Sequence, residues 1–262
     1  MSVGRRRALG QHFLRDAAIA RAIVDLVGPT PRDLALEIGP GEGALTIELA
    51  RRAGRVLALE VDPTLIARLA PRVPGVELVE ADARTWDYGA LRAPTGGRVL
   101  VVGNLPYSVG KPILQALVSA RTAIQEMALM LQREVAERVA AVPGSRVYGS
   151  LSVLTQLYCD ARLAFRVPPG AFRPPPQVES AVLHLRVLPG PRVPVADEGR
   201  FHAVVRAAFA QRRKTLANAL AAGLGLPTGG IRRGAQTAGV DPGRRAETLT
   251  IPEFAALAAR LS

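Results

Sequence analysis

Leu34-Ala35-Leu36-Glu37-Ile38-Gly39-Pro40-Gly41-Glu42-Gly43 is the stretch on which the fold turns. A short, mostly apolar run enters a glycine-rich turn, and a helical pattern opens at Ala44 and continues to Arg52. Strand, glycine turn and helix start, in that order, form the ligand-binding corner of an open α/β sheet. Glycine there lets the backbone approach a ligand closely and take positive φ. The spacing is Gly-x-Gly-x-Gly, whereas a dinucleotide pyrophosphate site has Gly-x-Gly-x-x-Gly. No Gly-Lys-Ser/Thr follows, so the loop is not a P-loop.

Working outward, short apolar runs at Leu34–Ile38, Arg55–Glu60, Val76–Glu80, Arg98–Val102 and Glu126–Leu131 alternate with helical patterns near Ala44–Arg52, Thr64–Leu69 and Lys111–Ser119. That alternation predicts a mostly parallel sheet covered on both faces. A helical pattern at Leu151–Tyr158 and strand-like runs at Ala161–Val167 and Ser180–Val187 complete seven strands. Pro189-Gly190-Pro191, with Pro194 behind it, reads as a linker. Beyond it come helical patterns at Phe201–Phe209, Thr215–Leu224 and Pro252–Leu261. The expected fold is α/β and Rossmann-like, with a mostly parallel seven-stranded sheet and a small C-terminal all-helical domain. The expected domains are residues 1–188 and 189–262.

The second strand ends at Glu60, whose carboxylate can accept hydrogen bonds from both hydroxyls of a ribose. The third ends in Glu80-Ala81-Asp82, which sets Asp82 to face the exocyclic amine of an adenine. Glycine loop, Glu60 and Asp82 describe a nucleoside pocket without a phosphate cradle. The combination resembles the S-adenosylmethionine-binding half of class I methyltransferases, so S-adenosyl-L-methionine is the expected cofactor, held around Gly39, Gly41, Glu60 and Asp82.

The fourth strand runs into Asn104-Leu105-Pro106-Tyr107, a tetrapeptide that resembles the catalytic motif of amino-methyltransferases acting on planar nitrogens. The lone pair of an adenine amine is delocalised into the ring, which makes the amine a poor nucleophile. Acceptance of its two N–H bonds by Asn104 Oδ1 and the Leu105 carbonyl favours a pyramidal nitrogen. Positive charge grows on that nitrogen during transfer, so the acceptors stabilise the transition state above the ground state. Pro106 stiffens the backbone that aims the carbonyl, and Tyr107 offers a face for base stacking.

Further segments extend the resemblance along nearly the whole chain. Leu9-Gly10-Gln11-His12-Phe13-Leu14, Tyr148-Gly149-x-Leu151-Ser152, Phe172-Arg173-Pro174-Pro175-Pro176-Gln177-Val178-Glu179-Ser180 and Phe209-x-x-Arg212-Arg213-Lys214-Thr215-Leu216 are similar to boxes of the rRNA adenine N6-dimethyltransferase family. Position 12 is often Asn in such boxes and is His here; either side chain offers a hydrogen bond. The resemblance implies cofactor contacts at His12, Leu14, Gly39, Glu60, Asp82 and Asn104, and a flipped adenine sandwiched between Tyr107 and Phe172. It also implies the substrate: two adjacent adenines in the 3′-terminal hairpin loop of small-subunit (16S) rRNA, each methylated twice. The implied partner is the immature small ribosomal subunit, so that rRNA processing forms part of ribosome biogenesis. The box around Phe13 is expected to order over the cofactor. Two competing readings share the fold: a large-subunit rRNA adenine N6-methyltransferase of the macrolide-resistance type, and a non-catalytic ribosome assembly factor. The Phe172–Ser180 loop and the Arg212–Leu216 segment lean toward the small-subunit enzyme, and the intact Asn104–Tyr107 motif leans toward catalysis.

Composition agrees. Of 262 residues, 48% are hydrophobic and 21% charged, which supports a packed core. The formal net charge of +12 favours a polyanionic partner. The excess is almost all arginine, with Lys111 and Lys214 the only lysines. Arg5, Arg6, Arg7, Arg212, Arg213 and Lys214 are the candidate RNA-phosphate contacts. One cysteine, Cys159, suits a reducing compartment. No run of 18 apolar residues exists and no signal peptide is apparent, so a cytoplasmic protein without a membrane partner is expected, as a monomer. No His/Cys/Asp cluster has metal spacing, so no metal is expected.

Overall fold

Every residue of β2 (Leu34–Ile38) is buried, because this strand has neighbours on both edges and helices over both faces. The computed structural model describes residues 12–94 and 96–261. A two-residue strand, β1 (Phe13–Leu14), precedes helix α1 (Ala17–Val27). From β2 the chain runs through α2 (Ala44–Ala50), β3 (Arg55–Glu60), α3 (Pro63–Leu69), β4 (Glu77–Glu80), β5 (Val99–Asn104), α4 (Gly110–Ser119) and β6 (Glu126–Gln132). Beyond come α5 (Arg133–Val139), α6 (Ser150–Gln156), β7 (Cys159–Val167), β8 (Phe172–Arg173) and β9 (Ser180–Val187). The seven-stranded sheet has the order β4-β3-β2-β5-β6-β9-β7. Strands β2 to β6 are parallel, and β9 joins β6 antiparallel. The fold is thus the Rossmann-like, mostly parallel sheet read from the sequence, with strand ends displaced by at most two residues (Cys159 against Ala161, Asn104 against Val102).

From β2 the chain steps outward to β3 and β4, then returns to place β5 on the opposite edge of β2. The reversal leaves a crevice at the carboxyl ends of β2 and β5, where open α/β sheets bind ligands. In the register there, Ile38 faces Leu59 on one side and Gly103 on the other. Gly103 is required by close packing: a Cβ would lie 2.9 Å from the Ile38 carbonyl oxygen.

At the opposite end of the sheet, Asp33 joins β2 to β5. Its carboxylate accepts from Thr30 N and Oγ1 (2.8 and 2.9 Å), and from Arg98 N and Nη2 (2.8 and 2.9 Å). Burial alone raises its pKa, but the bonds from Arg98 and Thr30 outweigh that and bring it down to about 2. A carboxyl depressed in the folded state contributes stability that is present above its unfolded value, near 4, and lost as pH falls toward 2. The contribution is about 2 kcal/mol. Asp33→Asn should therefore unfold more easily than wild type at pH 6, and the difference should shrink between roughly pH 4 and pH 2; urea unfolding across that range measures it, and a pH-independent difference would refute the ionic account. Nearby, buried His184 lies 2.5 Å from Glu126 through Nε2 and accepts from Arg162 Nε at Nδ1 (2.9 Å).

Two compact units result: the chain up to Ala136 with Asp160–Val187, and Glu137–Cys159 with Leu188 onward. The break at Val187/Leu188 lies one residue from the expected boundary, but residues 137–159 group with the C-terminal unit and not with the sheet. The reason is packing. In that unit α6 lies against α7 (Glu198–Ala210), and the Tyr148 ring meets Phe209 edge-on at 5.9 Å. The unit continues with α8 (Leu216–Leu224), α9 (Thr228–Thr237) and α10 (Ile251–Ala258). Helices α1, α5 and α9 were not read from the sequence. Helix α9 contains three glycines and is held by the burial of Ile231 and Ala235, a tertiary effect that overrides propensity.

Candidate active site

Gly39, Gly41 and Gly43 all take positive φ (70°, 54° and 89°), which turns the chain sharply from β2 into α2. A Cβ on Gly41 would lie 2.8 Å from the Phe13 ring, so that glycine also makes room for the N-terminal box. Across the crevice, the Cβ position of Gly39 is 3.8 Å from the Asn104 carbonyl oxygen. Loop and tetrapeptide, 65 positions apart by number (104 − 39), thus form facing walls of one cleft. Its empty volume, open mouth and adjoining solvent included, is about 940 Å³.

Glu60 ends β3 in the floor of this cleft and is only 4% exposed. Its Oε1 accepts from Val61 N (2.9 Å) and Asp62 N (3.1 Å), and its Oε2 from Gly41 N (3.3 Å). The carboxylate is therefore fixed in orientation and keeps acceptor capacity on Oε2. Burial raises its pKa, and the three backbone bonds oppose the rise. Glu37, beneath the loop and 1% exposed, is pushed up to about 8 by burial, with the Glu60 charge adding to the rise; it is mainly neutral at pH 7. Sequence reading quoted Glu37 only as part of the strand. Its signal there is a carboxylate among Leu, Ala and Ile in a fully buried run.

Asp82 lies at the mouth, bidentate to Arg84 with Nε at 3.0 and 2.9 Å from its two oxygens. That pairing holds its pKa below the usual value. Arg84, Val61 and Ile113 line the cleft as well and were not singled out beforehand. Side chains alternate or follow helical phase, so which loop neighbours face inward depends on the backbone path.

Asn104 Nδ2 donates to the His12 carbonyl at 2.8 Å. Its Oδ1 has no partner among the described residues. The Leu105 amide donates to Met130 O at 3.0 Å, which pins the motif to the end of β6. Tyr107 is oriented by a 2.6 Å hydrogen bond between its hydroxyl and Ser180 Oγ; burial raises the phenol pKa and the Ser180 bond opposes the rise. The closing serine of the proline-rich segment thus aims the tyrosine, a link invisible in sequence.

The structure gathers His12, Gly39, Gly41, Glu60, Asp82, Asn104, Leu105, Pro106 and Tyr107 around the cleft. Leu14 and Phe172 do not line the cleft itself. Both are core residues, 5% and 4% exposed. They face each other across the antiparallel β1–β8 pair, which turns their apolar side chains inward. His12 takes the place beside Tyr107, with ring centroids 5.5 Å apart, and its Nδ1 lies 2.8 Å from Pro174 O. Arg5, Arg6 and Arg7 lie outside the described residues. Arg212, Arg213 and Lys214 are exposed in the C-terminal unit, with Arg212 Nη2 donating to Arg146 O (2.8 Å). No group of three or more His, Cys, Asp or Glu among the described residues is placed to hold a metal ion.

The cleft suits S-adenosylmethionine. Its lining combines a buried carboxylate able to accept from ribose hydroxyls, apolar walls with an acidic group able to accept from an adenine amine, and glycine backbone. Fold and site together define a class I S-adenosylmethionine-dependent methyltransferase with a motif for amino groups.

The family model of ribosomal RNA adenine dimethylases matches residues 4–262; the chain belongs to that family. It is 46% identical over 255 residues to a protein of Magnetococcus marinus named ribosomal RNA small subunit methyltransferase A, covering 96% of this chain and 90% of that one. A protein of the same name from Geobacillus kaustophilus is 46% identical over 268 residues, covering 98% and 91%. Among solved structures, the 23S rRNA methyltransferase ErmE superposes with a TM-score of 0.71 at 28% identity, covering 95% of this chain and 99% of that one. A dimethyladenosine transferase from Plasmodium falciparum shares the fold, with a TM-score of 0.78 at 24% identity and coverage of 94% and 96%.

Proposed function

We propose that this enzyme dimethylates N6 of two adjacent adenines in the 3′-terminal hairpin loop of small-subunit rRNA. It acts as a cytoplasmic monomer on the immature small ribosomal subunit. The observation that carries the chemistry is Asn104, held by its Nδ2 so that Oδ1 remains an open acceptor beside the glycine loop. The bound cofactor supplies a methyl group on a positively charged sulfur. Asn104 Oδ1 and the Leu105 carbonyl receive the two N–H bonds of the incoming amine and hold it in line for transfer. Tyr107, braced by Ser180, supports the base. Bound S-adenosylmethionine would supply the methyl to N6 with its sulfur retaining the bonding pair, and these acceptors would hold the amine until N6 gives its proton to solvent. No side chain is needed as a base beforehand, since the alkylated nitrogen is acidic. A second round requires the N6 substituent to turn so that the remaining hydrogen meets one acceptor.

The small-subunit reading rests on the 46% identity over nearly the full chain to proteins named for that subunit. Labelled S-adenosylmethionine offered with unmethylated small and large subunits tests it. Dimethyladenosine is expected in the 3′ hairpin of small-subunit rRNA. Label in the large subunit alone would favour the macrolide-resistance type, and tight small-subunit binding without transfer would favour an assembly factor.

A further inference from the structure

A basic surface adjoins the cofactor cleft on the outer side of the glycine loop. Arg15 after β1, Arg21 on α1, Arg51 at the end of α2, Arg68 on α3 and Arg72 just beyond it line two adjoining depressions. All five are exposed. Among the described residues only two acids line the same depressions, Glu42 and Glu48. They are met by Arg15 and Arg51, each at 2.9 Å, and Arg72 Nη1 donates to the Glu42 carbonyl at 2.8 Å. Arg21 and Arg68 have no hydrogen-bond or ion-pair partner among the described residues. Gly41 lines both the cleft and the nearer depression, so the glycine turn borders both.

We propose that this arginine crescent binds the phosphodiester backbone of the substrate RNA while the target adenine occupies the cleft. The inference rests on the reading of the substrate as rRNA and adds a contact surface on the catalytic unit, distinct from Arg212–Lys214. Five guanidinium groups against two carboxylates leave a local excess of three positive charges. Arginine presents a planar fork that fits phosphate oxygens in bidentate fashion. The existing pairs do not block this use, because exposed ion pairs are worth only about 0–1 kcal/mol and exchange for a phosphate partner. The five residues come from α1, α2, α3 and the segments beside them, a spread that matches successive phosphates along a strand and exceeds what one bound ion would need. Arg72, held by the Glu42 carbonyl, couples the surface to the turn that shapes the cleft.

The test uses the full chain carrying Arg21→Gln and Arg68→Gln together. Both positions are exposed and have no partner among the described residues, so folding and cofactor affinity are expected to stay as in wild type. Affinity for protein-free small-subunit rRNA is measured by filter binding between roughly 50 and 200 mM salt. The plot of log affinity against log salt should become shallower by about 1.5, the loss of two phosphate contacts. With intact small subunits, KM should rise about tenfold with kcat unchanged. The Arg21→Lys/Arg68→Lys pair should recover most of the slope. An unchanged slope and KM overturns the proposal. Weaker binding to intact subunits with unaltered binding to protein-free rRNA also overturns it, and assigns the surface to a ribosomal protein. If wild type methylates neither subunit while the slope still falls, the substrate reading fails and the crescent stands as an RNA-binding surface.

Discussion

Asn104→Ala lowers kcat for methyl transfer by about 10²- to 10³-fold, while binding of cofactor and subunit changes far less. The size follows from removing one preorganised acceptor from a site where charge develops, a loss of about 3–4 kcal/mol. The ground-state amine is neutral and makes an ordinary hydrogen bond, whereas the alkylating nitrogen becomes cationic and makes a stronger one. The effect therefore falls on kcat and spares most of the binding. The substitution also removes the Nδ2 donor to the His12 carbonyl, so a small loss of cofactor affinity should accompany it. Single-turnover transfer and calorimetric cofactor titration on the same preparation separate the two. A variant with wild-type kcat would overturn the role assigned to the motif.

Glu60→Gln raises the cofactor Kd by about 100-fold, with kcat at saturating cofactor largely preserved. A buried carboxylate accepts charge-assisted bonds, each worth about 1.5–3 kcal/mol. In glutamine one oxygen becomes an NH₂ that must face either the Gly41 amide or the Val61 and Asp62 amides. The loop then loses its tether as well, and a modest fall in stability should follow. The pH profile supplies a second readout. Burial lifts the Glu60 pKa above the ordinary carboxylate value, so wild-type cofactor affinity should weaken as pH falls, starting above the pH at which an exposed glutamate would titrate. The Gln variant should lack that limb. Calorimetric titration from about pH 7 down to pH 5 measures both, and an unchanged Kd at neutral pH would remove Glu60 from the cofactor site.

Much of the architecture was legible in the chain, for a local reason. Buried parallel strands are continuous apolar runs and the helices between them carry their own period, so Leu34–Ile38 or Ser180–Val187 can be read without knowing their neighbours. The missed helices show the limit. Helix α1 carries an Asp16 N-cap and a left-handed Gly28 at its end, both local signals in the sequence, whereas α9 is held by the burial of Ile231 and Ala235. Site residues at strand ends were legible too. A parallel sheet brings all carboxyl ends to one edge, so Gly39, Glu60, Asp82 and Asn104 had to converge once the strands were right.

What the sequence determined by itself was therefore the class of fold, the order of its parts and the strand end at which the motif stands. Only the tertiary structure decided which neighbours of those motifs face the cleft. Leu14 and Phe172 pair across a two-residue sheet and turn into the core, and His12 and Phe13 line the cleft. Ser180 reaches Tyr107, residues 137–159 join the C-terminal helices, and five arginines scattered between positions 15 and 72 gather beside the glycine turn. Periodicity describes one segment at a time, while the direction a side chain takes at a loop or strand end depends on backbone turns and packing partners that are distant in sequence.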